Sequence, residues 1–172
     1  MKKRLGITKY FFIVLLLGIS GFCYAQIPTD SLPGDPGGLY VYTVQNINFG
    51  AFAHGNTGGT LTIAADGTRT ATGDIILLNL GVSYYNAIFE IEGPPGAIIS
   101  ILNGPDATLT GSNGGSMTLK IGNSTPASPF NNTLAPPGRT SVSIGGTLTV
   151  GGAAAAPSGN YTGTIYITFN HE

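Results

Sequence analysis

Glu90 and Glu92 come closer to a catalytic pair than any other residues in this chain. They lie in Ala87-Ile88-Phe89-Glu90-Ile91-Glu92, and two positions apart on a strand they share one face, within about 7 Å. Hydrolysis of a glycosidic bond uses two carboxylates across a sugar cleft, one of them with a raised pKa. Here Ala87, Phe89 and Ile91 claim the core face, which turns both glutamates outward. The expectation is the outer face of an antiparallel strand, not an acid–base pair.

The remaining chemistry-bearing residues give equally plain readings. Asp66, Asp74 and Asp106, with the glutamates, offer oxygens to calcium, but EF-hand spacing and repeated Gly-Asp calcium turns are both missing. Asp66-Gly67 is most simply the two-residue turn of a hairpin. His54, in Ala53-His54-Gly55-Asn56, and His171, near the end, have no cysteine or second histidine nearby to complete a zinc site. A Ser–His–Asp triad would need His54, and no Gly-x-Ser-x-Gly elbow exists. Tyr84-Tyr85, with Tyr40 and Tyr42, could form an aromatic platform for sugar, though the chain has no Trp to strengthen one. The expectation is a non-enzymatic protein with no catalytic, cofactor-binding or metal-ligating residue.

The first twenty-five residues predict the compartment. Lys2, Lys3, Arg4 and Lys9 precede the apolar run Phe11 to Ile19, and Cys23 and Ala25 are small residues suited to signal-peptidase cleavage after Ala25. The run is about half the ~20 residues a membrane span needs, so no membrane insertion is expected once the signal is removed. Phe22 stands where a lipobox needs a small residue, which argues against lipidation of Cys23. The mature chain would hold 147 residues and no cysteine. Four of the seven basic residues leave with the signal, so Arg69, Lys120 and Arg139 face eight acidic residues. Nucleic acid and anionic membranes select for clustered Lys and Arg, and both are excluded as partners. The expected location is the periplasm, the cell surface or the medium.

Residues 26–38 carry Pro28, Pro33 and Pro36 among glycines and read as a leader, because proline cannot donate to a ladder. Within it, Asp30-Ser31-Leu32 resembles a bacterial O-glycosylation acceptor. A β domain is expected over 39–172, opening with the run Leu39 to Phe49. Short alternating segments follow, among them Met117, Leu119 and Ile121 against Thr118 and Lys120. Ile75 to Leu80 is a continuous apolar run, suited to a strand covered on both faces. Gly58 to Ile63 and Gly145 to Val150 read GGTLTI and GGTLTV, two strands that begin alike. Tyr161 to His171 alternates throughout, with Ile165, Ile167 and Phe169 on one parity and Thr164, Tyr166 and Thr168 on the other. No window has helical periodicity over three turns, so the fold class is all-β, an antiparallel β-sandwich of Ig-like or pilin-like character.

Several motifs keep a familiar order: Asn48-Phe49-Gly50, Gly59-Thr60-Leu61-Thr62-Ile63 and Asp66-Gly67-Thr68-Arg69-Thr70-Ala71-Thr72-Gly73, then Phe89-Glu90-Ile91-Glu92-Gly93, Ser116-Met117-Thr118-Leu119, Gly145 to Val150 and Gly159-Asn160-Tyr161-Thr162-Gly163-Thr164. Over Leu39 to Asn170 the chain resembles the bacterial family domain of unknown function 4402. That resemblance implies an exported all-β domain with no catalytic residues to carry over. The closing Gly-x-Tyr-Thr-x-Thr strand is also similar to that of spore-coat-U-type and archaic chaperone–usher pilins. The expected role is structural, at the cell surface, in a matrix or in a pilus-like fibre, with a carbohydrate- or surface-binding adhesion module as the alternative. A pilin-like chain would self-assemble, or meet a pilus-type chaperone, by β-strand addition. Residues 39–49 could serve as the donated strand or, equally, as the domain's own first strand.

Overall fold

The computed structural model describes residues 37–172. The expected signal at 1–25 and the leader up to residue 36, with Asp30-Ser31-Leu32, lie outside the described residues. Thirteen strands follow one another: β1 (Tyr40–Gln45), β2 (Phe52–His54), β3 (Gly59–Ile63), β4 (Arg69–Ala71), β5 (Ile75–Leu77), β6 (Ala87–Glu92) and β7 (Ile98–Asn103), then β8 (Ala107–Gly111), β9 (Ser116–Thr125), β10 (Phe130–Asn131), β11 (Thr140–Val150), β12 (Tyr161–Thr162) and β13 (Ile167–His171). No helix occurs among the described residues, and every pair of strands is antiparallel. The fold is an all-β sandwich, as the alternation predicts.

β11 organises the main sheet, which runs β1-β6-β11-β9-β8-β12 and also holds β3 and β4. Its first half, Thr140 to Ile144, pairs with β6, and its second half, Gly146 to Val150, pairs with β3. β9 lies along its other edge, with a register shift between Ile144 and Gly146. A strand that changes partner beside an irregularity bends the sheet, and this one curls into a half-barrel. Across from it lie a three-stranded sheet, β10-β7-β13, and a two-stranded one, β2-β5. One core cluster, with Ile91, Ile99, Val142 and Ile144, also takes in Ile167 and Phe169 of β13. The other, with Leu61, Leu109, Met117, Leu119 and Leu148, is flanked by Phe52 and Ile75.

The two near-identical hexamers turn out to be neighbours. Gly59 pairs with Val150, Leu61 with Leu148 and Ile63 with Gly146, so the repeat forms a local two-fold. Thr62 and Thr147 meet hydroxyl to hydroxyl at 3.0 Å across it. Each initial glycine abuts the end of the opposite strand. A Cβ on Gly58, at φ +70°, would lie 2.2 Å from the Val150 carbonyl oxygen, and one on Gly145 would lie 2.5 Å from that of Ile63.

Three local expectations change, and one open alternative is decided. The Asp66-Gly67 hairpin forms, but the Ala64 N–H bonds the Thr68 carbonyl and leaves Ala65 to Gly67 as a three-residue loop. Residues 40–45 form the domain's own first strand, paired with β6. Ile75 to Leu80 is not a strand covered on both faces. Only Ile75–Leu77 is a strand, its one partner among the described residues is β2, and Ile76 and Leu80 are 63% and 69% exposed. Finally, Tyr161 to His171 is two strands. β12 pairs with β8 in the large sheet, residues 163–166 cross over, and β13 pairs with β7 in the smaller one. The parity survives the crossing, since Ile167 and Phe169 face the core while Thr168 and Asn170 are exposed.

Candidate functional site

Glu90 and Glu92 share a face, as their spacing predicts, but only Glu90 is solvated there. Glu92 is only 5% exposed. Arg139 donates from Nη1 to Glu90 at 3.1 Å and from Nε to Glu92 at 3.2 Å, while its guanidinium lies 3.8 Å over the Tyr42 ring. The β1–β6 register sets this up by placing Tyr42 opposite Glu90, and Arg139 arrives just ahead of β11. The hydrogen bonds it donates, to Glu90 first and then to Glu92, raise the Arg139 pKa above its ordinary value. Both carboxylates are thus held by a permanent cation, which ties β6 to the residue just ahead of β11. Arg139 was missed because a lone cation in the Pro-rich stretch before β11 gives no sign of its distant partners.

The aspartates do not converge. Asp66 accepts from the Thr68 N–H at 2.9 Å within its loop. Asp74 accepts from the N–H and hydroxyl of Thr57 at 3.0 and 2.8 Å. Those hydrogen bonds, the backbone one first in each case, hold both carboxyls below the usual aspartate range. Among the described residues, no three of His, Cys, Asp and Glu are placed to hold a metal ion. His54 is on β2, with Nδ1 3.2 Å from the Gly55 oxygen, whereas His171 is on β13 in a different sheet.

Two of the four tyrosines named for a sugar platform each meet an arginine. Arg139 covers Tyr42, and Arg69 lies 5.0 Å from the Tyr84 ring centroid. Arg69 is partly buried, which lowers its pKa, and its Nη2 donates to the Ala51 oxygen at 2.8 Å. A second residue missed in the sequence is Asn132, which is fully buried. Its Nδ2 donates to the oxygens of Gly93, Pro94 and Leu134 at 2.8, 3.0 and 3.0 Å, and its Oδ1 accepts from the Thr140 hydroxyl at 2.7 Å. It fastens the loop after β6 to the start of β11.

A smaller concavity of about 560 Å³ lies beside Leu39, Val41 and Phe169, and a groove of about 1270 Å³ lies between residues 46–54 and 157–165. Leu109, Met117, Leu119 and Leu148 contribute from the half of the large sheet that the β7 layer leaves uncovered. No Asp, Glu, Lys or Arg lines it. The crossing of residues 163–166 between the sheets opens the gap, and β2 and β13, which continue its two walls, each pair on one side only among the described residues. Its lining mixes apolar side chains with uncharged polar ones, among them Asn46, Asn48, Asn160 and Thr164, and includes His54.

No curated protein and no solved structure matches this sequence. A family model does, over residues 39–171, a span that holds all thirteen strands and agrees with the resemblance carried by the ordered Gly-, Thr- and Phe-containing motifs. The chain belongs to the family described as domain of unknown function (DUF4402).

Proposed function

We propose that this chain is an exported, non-enzymatic structural protein of the cell surface, of a matrix or of a pilus-like fibre, and that it assembles with further copies or with a pilus-type chaperone. One observation carries the reading: the groove has no Asp, Glu, Lys or Arg in its lining, while Glu90, Glu92, Asp66 and Asp74 are tied to the protein's own backbone and side chains. Export rests on the charged end, apolar run and Cys-x-Ala exit of the first twenty-five residues. The Thr-rich outer rows and low charge of the mature chain suit a passive wall better than a cleft.

Deleting the gene tests this. Electron microscopy of the mutant should show loss or thinning of a surface layer, matrix or fibre, restored when the gene is returned. An unchanged envelope, together with glycan-array binding by the purified protein, would overturn the structural role in favour of an adhesion module.

A further inference from the structure

The segment from Ile76 to Tyr84 is the most exposed apolar stretch of the described chain. Ile76, Leu77, Leu80, Val82 and Tyr84 are all exposed, Leu80 at 69% and Val82 at 51%. Scattered exposed apolar residues are ordinary, but five within nine positions mark a contact surface. The stretch begins on β5, in a two-stranded sheet, and such a pair on its own is marginal in water. Leu78, Leu80 and Val82 also form one rim of the uncharged groove.

We propose that rim and groove together form the contact between two copies of this chain, each placing Leu80 and Val82 into the other's groove. This specifies the self-assembly named above and rests on that reading. Charge selects the occupant. The groove lining has no Asp, Glu, Lys or Arg, and Ile75 to Phe89 contains none, so Leu80 and Val82 carry no charge into it; the nearby Arg69 is already engaged by the Tyr84 ring and the Ala51 oxygen. The chain's own leader fits poorly, since Asp30 and Asp35 would enter the groove unpaired and three prolines would interrupt it. Because inserting side chains and receiving groove lie on the same face, the contact is self-complementary and closes as a two-fold dimer.

Sedimentation velocity on the mature chain, Gln26 to Glu172, tests this across micromolar to submillimolar concentration. The expected result is a dimer whose association is weakened at least tenfold by Leu80→Asp at unchanged melting temperature, and not by Leu102→Asp, an equally apolar but distant exposed site on β7. Should Leu80→Asp fail to fold, Leu80→Ser replaces it. Mixing two single-cysteine variants, Leu80→Cys and Thr164→Cys, should also yield a disulfide-linked heterodimer, since the mature chain contains no other cysteine.

A wild type that stays monomeric throughout overturns the proposal, as does equal weakening by both aspartates. A monomer that instead binds a synthetic Leu39–Phe49 peptide would overturn it in favour of strand acceptance. In each of those cases a protein still required for the surface layer leaves the structural role standing. A dimer from a strain whose envelope is unaffected by deletion removes that role and leaves the contact.

Discussion

Replacing Asn132 with aspartate changes one NH2 into one oxygen at a fully buried position, so shape is kept and only hydrogen bonding and charge are altered. The native amide donates to three backbone oxygens, of which the Gly93 contact is buried and those to Pro94 and Leu134 are partly reached by water. A buried acceptor left without a donor costs about 1–3 kcal/mol, and the two wetter ones less. An ionised carboxylate would add repulsion from the same three oxygens, so we expect about 3–5 kcal/mol in total, the range for an uncompensated buried charge. That is a large share of the ~5–15 kcal/mol a domain has, and corresponds to a melting temperature lower by roughly 10 °C or more.

The sign with pH follows from the same contacts. Burial and the facing oxygens raise the aspartate pKa in the fold above its unfolded value of about 3.9, while the protonated acid keeps one O–H donor. The penalty relative to wild type is therefore smallest below about pH 4 and grows as pH rises through the folded value. Calorimetric melting of both proteins at pH 4 and pH 7 is the assay. Equal stability at pH 7, or a larger gap at pH 4, would refute the reasoning.

Two further outcomes are expected. Ile167→Asp sets a charge against the core formed with Phe89 and Phe169 and should aggregate or be degraded, whereas Thr168→Asp, one residue on and exposed, should fold; equal melting temperatures would show the parity to be wrong. Asp74, with its pKa lowered by Thr57, contributes stability that is present above about pH 4 and lost as pH falls through the folded value, so Asp74→Asn should be less stable than wild type at pH 6 with a gap that narrows towards pH 2.5, as followed by urea melts.

What could be read from residues alone was whatever alternation encodes. Met117, Leu119 and Ile121 are buried and Thr118 and Lys120 exposed, as a period of two requires, and the β13 faces follow the same rule. Alternation says nothing about partners. It could not show that β11 serves β6 with one half and β3 with the other, nor that Tyr161 to His171 changes sheets at residue 163. The run Ile75 to Leu80 has no period at all, so apolar content alone suggested burial, and an exposed rim of a groove has the same composition. Arg139 and Asn132 were opaque for a related reason, because their partners lie about forty residues away or more in sequence at Glu90, Glu92, Gly93 and Pro94. The groove was opaque as well, since it arises from where two sheets fail to meet.

The central claim is that this is an exported structural component, and intact-mass spectrometry of material sheared from the surface of native cells tests it most directly. The account predicts an abundant species beginning at Gln26, with or without cyclisation of that residue, in the sheared fraction. A chain retaining Met1 and confined to the cytosolic fraction would contradict it.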